Sequence, residues 1–143
     1  MRIIKYEKRY RDDLIFMVLE AKNALGRVPT LNEDLLDLNG YYFNKGDMFW
    51  IALDESDRVI GCVGCNILPE NEAVLHRLYI KHNLKRQGIG TKLLSVAEKF
   101  AKDKGCKTMR VHLGDRDTYF ESRQFYPKQG YKYISDDYMV KEL

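Results

Sequence analysis

Apolar positions recur along the chain with two different periods, and the switches between them divide it into elements. Residues 1–6 read as a short strand. Over 11–25 the residues Leu14, Phe16, Met17, Val18, Ala21 and Leu25 form one broad helical face, with Asp12 and Asp13 suited to the positive end of the helix dipole and Gly26 as the stop. Thr30 and Glu33 have capping-box spacing and predict a short second helix through Leu35, Leu36 and Leu38 to Gly40. Residues 48–53 and 59–67 are strand-like runs joined by the polar turn 54–58, which is short enough for an antiparallel hairpin. Residues 73–80 are apolar on both faces, as in a central strand.

The period then changes. Between 88 and 104, Ile89, Leu93, Leu94, Ala97, Phe100 and Ala101 recur at helical spacing, and Gly105 ends the run. Residues 108–113 alternate Met109, Val111 and Leu113 with Arg110 and His112, which is strand periodicity. A further helix is predicted over 117–128, ended or bent by Pro127, and two strands over 131–134 and 138–140 close the chain. The order β-α-α-β-β-β-α-β-α-β-β, without repeat or linker, predicts one α+β domain spanning residues 1–143.

Composition narrows the partners. With 45% hydrophobic and 31% charged residues the chain is globular in type, which excludes disorder as its main state. Lys and Arg number 24 against 21 Asp and Glu, a net +3 with both signs interspersed, so no nucleic acid is expected as partner. No apolar run reaches the length of a membrane span, and the first residues carry charge where a signal peptide is apolar, so no membrane is expected either. Cys62 and Cys65 stand at C-x-x-C spacing inside a strand-like run, and Cys106 is the one other cysteine. The three histidines do not complete a zinc pattern, so no metal is expected, and the thiols read as buried and reduced in a cytoplasmic compartment.

The strongest local signal is the run of Leu78, Tyr79 and Ile80, a loop, and then Lys85, Arg86, Gln87, Gly88, Ile89, Gly90 and Thr91 opening the long helix. The first amides of a helix lack intrahelical acceptors and carry the positive end of the dipole, so this junction is an anion site in outline. Gly88 and Gly90 give a phosphate access to backbone, while Lys85 and Arg86 bring mobile positive charge to the rim. A Walker loop is absent, and Leu93 stands where the dinucleotide fingerprint needs its third glycine.

On these residues the chain resembles the GNAT superfamily of acyl-CoA N-acyltransferases, whose signature is [QR]-x-x-G-x-[GA] at a strand-loop-helix junction. Gly88 and Gly90 match it, Lys85 replaces the first position, and Ile80 lies eight residues before Gly88 as in the family. The run 125–131, FYPKQGY, is similar to the family's F-Y-x-x-x-G-[FY] ending. The resemblance implies a GNAT-like fold, a mixed sheet of about six to seven strands flanked by about four helices. It also implies acetyl-CoA as acyl donor and direct transfer to a primary amine of a small molecule or protein. Leu78, Tyr79 and Ile80 would pair with the pantetheine arm, and Arg86 to Thr91 would enclose the pyrophosphate, with Lys85 binding the cofactor at the rim.

The same resemblance makes Tyr126 the acid toward the departing thiolate, a role that suits a phenol protonated at neutral pH. Some members carry a glutamate where this chain has Val74, and others a histidine at the place of His76, which can accept a proton from an ammonium. Glu72 and Asp115 are the fallback bases. Tyr119 stands where members often have asparagine. Glu33, Asp34 and Asp37 could draw a cationic amine, and Tyr41, Tyr42, Phe43 and Trp50 read as core or as acceptor pocket. A module that binds acyl-CoA without turnover is the alternative, and a homodimer through a sheet edge is compatible with the terminal strands.

Overall fold

In the computed structural model, which describes residues 1–28, 30 and 32–143, the chain forms one seven-stranded sheet. Its strands are β1 (Arg2–Lys5), β2 (Met48–Leu53), β3 (Val59–Leu68), β4 (Glu72–Ile80), β5 (Thr108–His112), β6 (Lys132–Tyr133) and β7 (Tyr138–Glu142). They lie in the order β1-β2-β3-β4-β5-β7-β6. Every neighbouring pair is antiparallel except β4 and β5. A parallel pair needs a crossover, and α4 (Ile89–Asp103) supplies it between these two strands.

The remaining helices are α1 (Arg11–Ala24), α2 (Glu33–Leu36), α3 (Leu38–Tyr41) and α5 (Phe120–Lys128). Alternation along the strands sends side chains to two cores, one on each face of the sheet. Trp50, Ala52, Val63 and Cys65 meet Leu93, Leu94 and Ala97 of α4 on one face. Phe49, Ile51, Leu53 and Cys62 meet Leu14, Met17 and Val18 of α1 on the other. Leu93 and Leu94 are fully buried, each contributing roughly 1.5–3 kcal/mol from apolar area removed from water. Gly61 sets the approach of α4 to β3: a Cβ there would stand 2.9 Å from Leu93 Cδ1 and 3.2 Å from the Tyr79 carbonyl oxygen.

Two expectations change. The single short helix through Gly40 is two one-turn helices, because Asp37 leaves helical geometry (φ −144°, ψ 68°) and its carboxylate accepts from the Gly40 amide, starting the second turn afresh. The capping box does not form. Asn32, not Thr30, precedes the first helical residue, and buried Lys22 donates to Thr30 Oγ1 at 3.4 Å and to Asn32 Oδ1 at 3.2 Å. A buried ammonium needs acceptors more than an exposed helix end does.

Cys62 and Cys65 belong to opposite cores, so their spacing cannot make a shared metal site. Burial pushes both thiols up to about 12, and among the described residues no cluster of His, Cys, Asp and Glu could hold a metal ion. No described helix is long and apolar enough to cross a membrane.

Candidate active site

The site begins with a defect in β4. Cys62 pairs with Tyr79 and Gly64 with His76, so Val63 alone stands opposite Arg77 and Leu78. Arg77 takes up the extra residue with a left-handed backbone (φ 57°), strained for a side chain with a Cβ by about 1–3 kcal/mol. Turned out of the ladder, its carbonyl accepts instead from the Cys62 thiol at 3.0 Å. The Arg77 guanidinium is clamped by Asp34 (Nε–Oδ2 3.0 Å, Nη2–Oδ1 2.8 Å) and by Asn32 Oδ1 at 3.0 Å.

The bend opens the sheet. Pairing of β4 with β5 ends at Leu75 and Val111, so Leu78, Tyr79 and Ile80 have no ladder partner on the β5 side. Two cavities meet there, of about 670 and 510 Å³, sharing Arg27, Leu78, Tyr79, Ser122 and Tyr126.

The smaller cavity is walled by Ile80, Lys85, Arg86, Gly88, Ile89, Gly90, Thr91 and Phe125. Of the residues expected to hold a cofactor, Gln87 alone lies outside its wall. Arg86 (φ 65°) and Gly88 (φ 83°) both take left-handed conformations, which folds the loop back so that it delivers amides to the helix start. No side chain caps α4, and the amides of Ile89, Gly90 and Thr91 have no acceptor among the described residues. A Cβ on Gly90 would come no nearer than 3.7 Å to Ile80 and Phe125, so the floor of the cleft is bare backbone. This donor set and its open space fit a diphosphate. The rim charge differs from expectation: Lys85 is tied across the cleft to Glu121 of α5, while exposed Arg86 and Lys128 in the wall have no ion-pair partner among the described residues.

Tyr126 sits where the two cavities join. It is 5% exposed and packs edge-on against Phe125 and Tyr131, with centroids at 5.1 and 5.3 Å. Its hydroxyl has no hydrogen bond to a described residue, yet it is not among the sealed unsatisfied atoms, so it opens into the cavities. Burial raises its pKa above the ordinary phenol value, with the nearby Arg27 opposing, so it stays a donor at neutral pH.

The larger cavity holds His76, which opens into it from β4, and His112 from β5. Desolvation by the surrounding walls, then the Arg77 charge, lowers the His76 pKa below the ordinary 6.5, so the imidazole is neutral and able to accept at pH 7. The fallback bases are elsewhere: Glu72 pairs with Arg110 at 3.1 Å, and Asp115 accepts from the Asp117 amide. Neither lines either of these two cavities, and Val74 brings no carboxylate. Of the acidic trio, Asp34 reaches the cavity but is neutralised by Arg77, while Glu33 and Asp37 stay outside. Tyr41 and Tyr42 line the wall, whereas Trp50 packs into the core against Phe100.

Two residues that sequence pattern did not single out stand in this site. Arg27 stacks on Tyr119 at 3.6 Å, lies 5.9 Å from the Tyr79 ring, and donates to the Thr118 carbonyl. Tyr119 thereby serves as a platform for a cation at the junction. Asp47 lines the larger cavity and is 5% exposed. Nothing in local spacing marks either one, since each follows a loop glycine and reaches the site through long-range packing.

A mixed sheet split at its parallel β4–β5 pair, beside an uncapped helix started on glycine, defines the class of this α+β domain. The profile of the Acetyltransferase (GNAT) family matches residues 15–131, and the chain belongs to that family. It is 38% identical over 81 residues to the probable N-acetyltransferase camello of Xenopus laevis, a match covering 54% of this chain and 36% of that protein. The matched stretches span between 36% and 43% of the length of such curated relatives. An acetyltransferase from Streptococcus agalactiae superposes with a TM-score of 0.89 at 21% identity, covering 99% of this chain and 98% of that one. The PaiA N-acetyltransferase of Thermoplasma acidophilum, solved in complex with coenzyme A, does so with 0.77 at 24% identity, covering 99% and 98%.

Proposed function

We propose that this domain is an N-acetyltransferase that takes acetyl-CoA as donor and passes the acetyl group directly to a primary amine. The observation that carries this is the join of two cavities at Tyr126, one walled by bare helix amides and the other by a neutral histidine. Acetyl-CoA, when bound, supplies an activated thioester. The amides of Ile89, Gly90 and Thr91, with Arg86 at the rim, hold its diphosphate, and the unpaired edge of Leu78, Tyr79 and Ile80 receives its extended arm as a strand would. Lys85 closes the mouth through Glu121.

The acceptor amine enters the larger cavity. His76 takes the proton that the amine loses, directly or through water, which its depressed pKa permits at neutral pH. Tyr126 donates its phenolic proton to the departing sulfur, and Arg27 stabilises the negative charge that passes through that point.

CoA should raise the melting midpoint by several degrees at 100 times its dissociation constant, an effect of about 2.7 kcal/mol, and NAD should not. Tyr126→Phe should retain that shift and lose most turnover, read as thiol release with a panel of amines. Absence of any CoA shift would sink the transferase reading. A shift without turnover on any amine would favour a module that binds acyl-CoA and signals.

A further inference from the structure

We infer that Asp47 is the anchor for a second positive charge on the acceptor, so that the preferred substrates are elongated diamines or amines with a distal cationic group. This rests on the transferase reading and names the substrate class of the same site. Asp47 is the first residue after the loop glycine Gly46, immediately before β2, and its side chain is 95% withdrawn from solvent yet lines the larger cavity. It accepts two hydrogen bonds, from Asn66 Nδ2 at 2.7 Å and from the Ile67 amide at 2.8 Å. Neither donor is charged. Among the described residues no Lys, Arg or His comes within 4 Å of it.

A buried carboxylate gains from a cationic partner beyond its hydrogen bonds, and of the two acids lining this cavity Asp47 is the one without an ion pair among the described residues. Asp34 is matched by Arg77, and the remaining lining cations are placed otherwise: Arg27 stacks on Tyr119, and exposed Lys45 lies 5.8 Å from the Tyr41 ring. The Oδ1 of Asn66, whose amide nitrogen is spent on Asp47, takes no hydrogen bond from a described residue, which leaves a second acceptor in the same cavity wall for an ammonium.

Register gives the distance. Asn66 is paired with Val74, two residues before His76 and four before Leu78 on β4. At about 3.3 Å per residue, the β4 position opposite Asn66 lies roughly 7 Å from His76 and at most roughly 13 Å from Leu78 at the join, and Asp47 is hydrogen-bonded to Asn66. A molecule held at Asp47 by one cation can therefore extend past His76 and present a second nitrogen at Tyr126.

The test is calorimetric titration of α,ω-diaminoalkanes, and of n-alkylamines of the same lengths, into the protein with and without saturating CoA. In the wild type the longer diamines should bind about tenfold or more tighter than the monoamines, and Asp47→Asn, which removes the charge, keeps one oxygen for the Ile67 amide and leaves its new amide to donate to Asn66 Oδ1 once Asn66 flips, should abolish that preference. Equal affinity for the two series in the wild type, or a preference that survives in Asp47→Asn, overturns the inference. If that variant does not fold, the ¹³C shift of the wild-type Asp47 carboxyl carbon decides: it should move with a diamine and not with a monoamine. The titrations without CoA read Asp47 even if CoA fails to bind, an outcome that would count against the transferase reading alone.

Discussion

Gly90→Leu separates folding from binding, because the two should move in opposite directions. Gly90 lies in the first turn of α4 with ordinary helical backbone, and a Cβ there has no neighbour nearer than 3.7 Å. Leucine, a strong helix former, in place of glycine in a helix restricts the unfolded chain and gains roughly 0.5–1 kcal/mol, which for a domain of this size raises the melting midpoint by about 2–3 °C. The signature admits alanine at this position, but a leucine side chain extends beyond the methyl into the cleft between Ile80 and Phe125, where the proposed diphosphate must reach the amides. Losing one hydrogen bond to a charged group costs about 1.5–3 kcal/mol, so CoA should bind about 10- to 100-fold more weakly. Urea unfolding monitored by circular dichroism reads the first quantity, and calorimetric titration with CoA reads the second. A variant that is stabilised and still binds CoA as the wild type does would refute the assignment of the α4 amides. A destabilised variant would refute the account of the space around Gly90.

Acidification should lower the rate through protonation of His76, with the midpoint of that limb below 6.5; His76→Gln should lose the limb and roughly 10²-fold in turnover, as a pH–rate profile of both proteins would reveal. Asp13 accepts from Arg58 at 2.8 and 3.1 Å and from the Val59 amide at 2.8 Å, tying the start of α1 to β3. The Arg58 hydrogen bonds hold the Asp13 carboxyl below its ordinary pKa, so its contribution is present above about pH 4 and is lost as pH falls through the depressed folded value. Asp13→Asn should be about 1 kcal/mol less stable near neutrality and match the wild type in strong acid, measured as melting midpoint against pH. Convergence at neutral rather than acid pH would contradict this.

The elements were legible because each depends on local spacing. Ile89, Leu93, Leu94, Ala97 and Ala101 mark one face of α4 at any distance from the rest of the chain, and Gly105 follows at its end. The phosphate-side wall was legible for the same reason: strand, loop, two glycines and helix are contiguous, and the amides belong to the backbone. Gln87 fell outside that wall because a loop must turn some of its residues outward. The failed capping box marks the limit of local rules, since Lys22 from another element drew Thr30 and Asn32 to itself.

What sequence by itself determined, then, is the order of strands and helices and the glycine turn with its unpaired amides, all set by backbone hydrogen bonding and by apolar periodicity over a few neighbouring residues. Tertiary structure alone decided the opening of the sheet, through one extra residue at Arg77 whose carbonyl finds the Cys62 thiol. It also decided which charges survive in the cavity. Asp34 is cancelled by Arg77 and Lys85 by Glu121, while Asp47 is buried without a counter-ion among the described residues, because electrostatic pairing acts across space between groups that chain order keeps far apart.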